Sequence, residues 1–471
     1  MWIPRQKRSW KKRRLKSAAT FCTASSPYCS CWWFYYQNVY RGFLQSNSYF
    51  ISYLGLDTNA SLKSQTVNAT AASMMGVEEG SSWHDYIMDN TVKQMTMVQR
   101  GLKQAQEEGY QFPASVQEQY EDSLNSLKTS AESTGMSVKA YLQRNLGAIM
   151  TEKVYNQQVL RMLQYQAYAQ SYSDSLTYTD AELEAAYQAD SKAYDKAAWE
   201  YVVVSGAADS TTDADGNTVQ ATDEEQAAAK ETAKATAEEI LAAYNSGKSL
   251  ESIAGNYEKA TYYNTTDAAY YDGVVGNWLF DDARKDGDTE ILEVGTNYYV
   301  GLFHSRGREE YKTVDIRHIL ITPETGTKAQ GDEGYEDEQT QLKAAARTKA
   351  EEILAQWKSG EATEDSFAQL AMENSADGSK YDGGLYTRVT KGWAVEEFND
   401  WCFDASRKDG DTGIVDTTYG SHVMYFVGYD LPAWAASVTS DLQEKASSEW
   451  STALSENADV QQSDFGMKFV G

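Results

Sequence analysis

From Ser82 to about Gln170, apolar and aromatic residues recur at three- and four-residue spacing among Gln, Glu, Lys and Ala. This spacing predicts a series of amphipathic helices, with Gly109 and Gly135 punctuating them. Thr179-Asp-Ala-Glu182 ahead of Leu183 and Tyr187 has the form of a capping box, so another helix begins there. The period then changes. Glu200 to Val204 and Ile316 to Ile321 are short runs rich in β-branched residues, each followed by a polar loop and an Ala/Glu-rich helix. The acidic, Gly-containing stretches Ala207 to Asp223 and Thr325 to Glu338 read as the solvated loops after those strands. Beyond Pro432 the pattern returns to an amphipathic helix over Ala433 to Asn457.

The two strand–helix runs are copies of one unit. Ala237-Glu-Glu-Ile-Leu241 with Ser246-Gly247 recurs as Ala350-Glu-Glu-Ile-Leu354 with Ser359-Gly360. Trp278-Leu-Phe-Asp281 with Arg284-Lys-Asp-Gly-Asp-Thr289 recurs as Trp401-Cys-Phe-Asp404 with Arg407-Lys-Asp-Gly-Asp-Thr412. Matched blocks in the same order imply a tandem duplication of an α/β unit.

A chain of 471 residues with 41% hydrophobic content is long enough for several cores. Its net charge of −27 is unevenly placed, because Arg5, Lys7, Arg8, Lys11, Lys12, Arg13, Arg14 and Lys16 precede the first acid, Asp57. The acidic body repels phosphate backbones, so nucleic acid is excluded as a partner. The basic head resembles a targeting signal, yet Ser17 to Gln37 contains no apolar run of signal-peptide or membrane-spanning length. It reads as an atypical targeting or anchor-like segment, with a basic tail as the bland alternative. His84, His304, His318 and His422 are scattered, and the 4 cysteines form no metal-ligand spacing, so neither metal nor other cofactor is expected.

The second copy carries a longer constellation. Arg317-His-Ile-Leu320 on the first strand is followed by the Ala350–Leu354 helix and by Phe367-Ala-Gln-Leu-Ala371. Ser375, Asp377, Gly383-Gly-Leu385, Phe398, Gly410-Asp411 and Tyr419-Gly-Ser-His-Val423 complete it. In residue type, order and spacing this segment resembles the parvulin family of peptidyl-prolyl cis/trans isomerases. With the flanking helices, the whole layout is similar to the PrsA and SurA class of extracytoplasmic foldases.

The resemblance implies an α+β protein: a helical N-terminal chaperone-like domain to which the C-terminal helix returns, and two tandem parvulin-like α/β domains. Each α/β domain would be a small mixed antiparallel sheet flanked by helices. The implied boundaries are an N-terminal targeting segment over 1–45, the helical domain over 46–195, a degenerate parvulin-like domain over 196–310, the isomerase domain over 311–430 and the C-terminal helix over 431–471.

By the same resemblance His318 and His422 share a hydrogen-bond network beneath the substrate, and Asp377 lies near the substrate carbonyl. Leu385, Trp393, Ala394, Phe398 and Tyr419 are the implied substrate-binding residues. Each has a plainer reading. Paired histidines on inner strands can be a satisfied core network, Asp377 can close an ordinary Asx turn, and Phe398 can simply line the core. Ala394 stands where many relatives carry Met, which thins the pocket wall unless Trp393 fills in. The first copy has Tyr201 in place of His318 and Tyr299 in place of His422, and the loop that should hold Asp377 is expected to be shortened around Tyr262 to Asp272. It reads as an inactive module for spacing or for holding substrate.

The expected activity is isomerisation of X-Pro bonds in unfolded or partly folded, proline-containing polypeptides. The expected location is outside the cytoplasm, anchored at a bacterial cell surface, with membrane association only through the N-terminal segment. A holdase chaperone using parvulin folds as platforms is the main alternative, and a surface protein with spacer repeats is a third.

Overall fold

A computed structural model describes residues 27–212 and 217–456, and the chain divides into two compact units. The first comprises Met1–Leu176 and Gln443–Gly471. Its described part is helical: α1 (Pro27–Ser46), α2 (Ile51–Leu54), α3 (Ala69–Met75), α4 (Trp83–Glu108), α5 (Ala114–Ser133), α6 (Val138–Leu146) and α7 (Glu152–Asp174). Side chains of Asn68, Ser82, Ser137 and Thr151 accept from backbone N–H groups of the first turns of α3, α4, α6 and α7. Gly109 ends α4 in the left-handed conformation that favours glycine.

The apolar stripes close over Trp83, Ile87, Val98, Leu142 and Met150, all buried. Phe34, Tyr35 and Tyr36 of α1 are buried with them. The segment set apart as anchor-like up to residue 45 therefore reaches into this helical core, where Tyr36, Tyr40 and Phe43 pack at helical spacing. Residues 1–26 lie outside the described residues. Among the described residues no helix is long and apolar enough to cross a membrane.

The second unit, Thr177–Leu442, starts with α8 (Asp180–Ala189). The capping box at Thr179 and Glu182 is present, with Thr179 N–H donating to Glu182 Oε2 at 2.9 Å. Sequence pattern alone grouped this helix with the helical domain ending at 195. Instead Leu183 and Tyr187 pack with Ala435 and Val438, since their apolar stripe finds its cover in this unit. Those two residues belong to α15 (Ala433–Ser455), whose residues from Gln443 onward lie in the helical unit. There Trp450 stacks on Tyr172 and Tyr165, with centroids 4.6 and 6.2 Å away, so the C-terminal helix does return to the helical domain.

Two α/β modules make up the rest. The first runs β1 (Lys196–Val204), the short pair β2 (Thr211–Thr212) and β3 (Thr218–Val219), α9 (Asp223–Asn245), α10 (Leu250–Ala254), β4 (Ala260–Ala269), α11 (Val274–Leu279), β5 (Thr289–Val294) and β6 (Asn297–Gly307). The second runs β7 (Lys312–Ile321), α12 (Tyr335–Ser359), α13 (Glu364–Asn374), β8 (Leu385–Val389), α14 (Glu396–Cys402), β9 (Thr412–Thr417) and β10 (Gly420–Pro432). Their antiparallel sheets have equivalent orders, β4-β1-β6-β5 and β8-β7-β10-β9. The duplication is thus one of topology as well as of sequence blocks.

The copies differ between the second helix and the first edge strand. In the second module eleven-residue α13 is followed by Ser375–Gly384, which includes a 3₁₀ turn over Gly378–Asp382. In the first module α10 ends at Ala254 and β4 begins at Ala260. The shortening therefore falls at Gly255–Lys259, ahead of the expected Tyr262 to Asp272, because most of that stretch pairs with β1 as a strand.

Candidate active site

β7 and β10 are the two central strands of the second sheet, and their register sets the site. His318 lies opposite Met424, and His422 opposite Leu320, so the two imidazoles are diagonal neighbours on one face. That face is covered by the Ser375–Gly384 segment and α14. Ser375 Oγ accepts from Leu320 N–H at 3.0 Å, Ala376 N–H donates to Leu320 O at 2.9 Å, and His318 N–H donates to Gly384 O at 2.9 Å. These bonds stitch the loop to the edge of β7 beside His318. Both are buried, 3% and 5% exposed.

The rings of His318 and His422 stack with centroids 5.3 Å apart, and their Nδ1 atoms are 3.1 Å apart. Two Nδ1–H groups cannot face each other at that distance, so one donates and the other accepts. His422 Nε2 is 2.9 Å from Thr417 Oγ1, while His318 Nε2 is 3.3 Å from both Ser379 Oγ and Asp377 Oδ1. A carboxylate only accepts, which assigns the direction of the chain. Thr417 O–H donates to His422, His422 Nδ1–H donates to His318, and His318 Nε2–H points to Ser379 and Asp377. Asp377 Oδ1 also accepts from Ser379 N–H at 2.8 Å, Ser379 O–H at 2.5 Å and Tyr386 O–H at 3.0 Å.

The electrostatics agree with that chain. The bond from His318, followed by those from Ser379, holds the Asp377 carboxyl well below the usual carboxylate range despite its partial burial. Burial, then the neighbouring His318, pushes His422 down to about 4. Burial and Asp377 raise the Tyr386 phenol. Near pH 7 the network therefore has a neutral His422 and an ionised Asp377 at its far end.

Aromatic rings wall the space beside the network. Phe398, buried in α14, presents its edge to His318 and His422, with centroids at 5.5 and 5.3 Å. Tyr386 lies 5.5 Å from His318 and 4.7 Å from Trp393, and Trp393 lies 6.3 Å from Phe398. Trp393 is 50% exposed, so the wall is open on that side. Ala394 packs on the same core as Phe398.

One expected substrate-binding residue lies elsewhere. Leu385 sits opposite Arg317, on the sheet face away from His318, because successive strand residues alternate faces. Its neighbour Tyr386, opposite Ile316, takes the position beside the site. Tyr419 is 64% exposed in the turn between β9 and β10, where its N–H donates to Thr417 Oγ1 at 3.1 Å. His318, His422, Asp377, Phe398, Trp393 and Ala394 are brought together. The Asx turn at Asp377 is present as well, with Ser379 N–H bonded to it, so the plain structural role and the place in the network coexist. Ser379, Thr417 and Tyr386 were not anticipated. Ser379 follows Asp377 by two residues, but only strand register brings Thr417 and Tyr386 to the histidines.

The first module has Tyr201 and Tyr299 at the equivalent ladder positions, opposite Gly301 and Val203. Their rings stack at 5.8 Å. Lacking the Ser375–Gly384 loop, this module has no counterpart of Asp377 or Ser379 among the described residues.

Comparison with known proteins gives a family match in the second module. Residues 301–427 match the model of the PPIC-type PPIASE domain. The chain is 29% identical over 142 residues to the foldase protein PrsA 1 of Listeria innocua, a match covering 29% of this chain and 39% of that relative. The chain thus spans well under half the length of this curated relative. Among solved structures, PrsA from Bacillus subtilis is 14% identical and covers 83% of this chain and 93% of its own, with a TM-score of 0.30. The peptidylprolyl isomerase PrsA from Bacillus anthracis is 20% identical and covers 33% of this chain and 64% of its own, with a TM-score of 0.19. With its register, its buried histidine pair and this match, the second α/β module of the chain belongs to the PPIC-type, or parvulin-type, peptidyl-prolyl cis/trans isomerase domains.

Proposed function

We propose that the protein is a peptidyl-prolyl cis/trans isomerase and foldase acting outside the cytoplasm on unfolded or newly exported polypeptides. Rotation about an X-Pro bond must pass a barrier of about 18–20 kcal/mol set by amide resonance, and it breaks no covalent bond. The site must therefore hold the proline ring and favour the twisted amide over both planar forms. Phe398 supports the ring from beneath, while Trp393 and Tyr386 flank it. Asp377, ionised and fixed by its donors, supplies negative charge as the amide nitrogen regains its lone pair and the carbonyl loses its partial negative charge. His318 and His422 keep that carboxylate oriented.

The observation that carries this reading is the 3.1 Å histidine pair abutting Phe398 within one buried network. The test is a protease-coupled assay of the full chain on a proline-containing tetrapeptide. Turnover above background that falls about tenfold or more in His422→Ala supports it, and background rates in both proteins would sink it. A non-catalytic holdase is the second reading, favoured by the small side chain of Ala394 and the tyrosine-substituted first module. Suppression of aggregation of a proline-free client, equal in wild type and His318→Ala, would identify that activity.

A further inference from the structure

The first module lacks the loop that borders the histidines of the second, and the equivalent stretch of its sheet face, beyond the part that α11 packs on, is only half-buried. What stands there is a row of parallel rings across three strands. Tyr201 stacks on Trp199 at 4.0 Å and 14°, on Tyr263 of β4 at 5.0 Å and 18°, and on Tyr299 of β6 at 5.8 Å and 19°. Tyr263 is 46% exposed, and Tyr271, just beyond β4, is 54% exposed. Burial raises the Tyr201 phenol, and Tyr299, Tyr263 and Tyr271 raise it further, so the four hydroxyls lie within electrostatic reach of one another. None of the four has a hydrogen-bond partner among the described residues. A tyrosine row that served only as core would bury its outer rings and pair its hydroxyls.

We propose that this tyrosine row is a second polypeptide-binding site, which takes proline-containing extended segments and holds them without turning them. The occupant follows from complementarity. Phenol groups supply donors and flat faces, whereas a proline-rich segment supplies ring faces and carbonyl acceptors, with no N–H at each proline. Such a segment is already extended in the polyproline II form, so little order is lost on docking against aromatic rings. With neither an Asp377 nor a histidine equivalent, the row binds but has no polar network to favour a twisted amide. The inference rests on the proposed action on proline-containing chains, and places holding and turning in successive modules of one unit.

The experiment is a calorimetric titration of the full chain with a proline-rich peptide and with a matched peptide carrying alanine for each proline. Wild type is expected to bind two proline-rich peptides and Tyr263→Ser one, with affinity at the lost site falling at least about fivefold. The double variant Tyr201→Phe with Tyr299→Phe keeps the rings and removes two donors, and is expected to weaken that site about threefold to tenfold. If wild type binds one peptide and Tyr263→Ser none, the tyrosine row stands and the isomerase slot fails to bind. Equal stoichiometry and affinity in wild type and both variants overturns the inference. So does equal binding of the alanine peptide, which would indicate strand addition at the edge of β4 instead.

Discussion

His422 resists protonation until about pH 4, while an imidazole in an unfolded chain titrates near 6.5. Between those values the unfolded state binds the extra proton. This residue's contribution to stability is therefore full above about pH 6.5 and is lost as pH falls toward 4, amounting to roughly 3 kcal/mol. Asp377 acts in a lower window, since its depressed carboxyl contributes above its unfolded value near 3.9 and is lost only in stronger acid. Denaturant unfolding of the full chain, followed through the second module, should show stability falling between about pH 6.5 and 4, with a shallower slope in His422→Gln. Isomerase turnover should stay level from about pH 8 to about pH 5 and fall around 4. An NMR titration of the His422 ring with a midpoint near 6.5 would overturn this. Thr417→Val removes the donor to His422 Nε2, and should lower turnover several-fold while costing about 1 kcal/mol of stability.

At the scale of elements, the loop between α13 and β8 decides whether a sheet of this topology carries the network. Gly384 is its closing hinge: its φ is +74°, and a Cβ there would lie 2.3 Å from the His318 carbonyl oxygen. Gly384→Ala should therefore displace β7 or the loop, cost more than about 2 kcal/mol, and abolish most turnover, measured together by urea unfolding and the tetrapeptide assay. At the start of α13, Thr363 accepts from Ser366 N–H at 3.2 Å within a capping box. Thr363→Ala should cost about 1 kcal/mol and leave the network's geometry in place. A loss in turnover as large as that of Gly384→Ala would refute this separation of anchoring from capping.

At the scale of the whole molecule, the C-terminal helix supplies Trp450 to the core of the helical unit, against Tyr165, Tyr168 and Tyr172. Trp450→Ala should destabilise that unit by about 3–5 kcal/mol, read as an earlier unfolding transition. Isomerase activity on a short peptide should survive at temperatures below that transition. Unchanged unfolding of the helical unit would mean that its core closes without this helix.

The helical periodicity and the capping box at Thr179 were legible in the chain, because each depends on spacing along one element, the duplicated blocks were legible from their matched order, and the His, Asp, Phe, His series came from resemblance to a family. The face of Leu385 against Tyr386, the reach of Thr417 to His422, the position of the shortened loop and the partner of α8 were not legible. They depend on the register between strands and on which apolar surface meets which, and a one-residue shift in a strand reverses the face a side chain takes. Sequence alone determined which residues this protein has for chemistry, and tertiary pairing decided which of them touch.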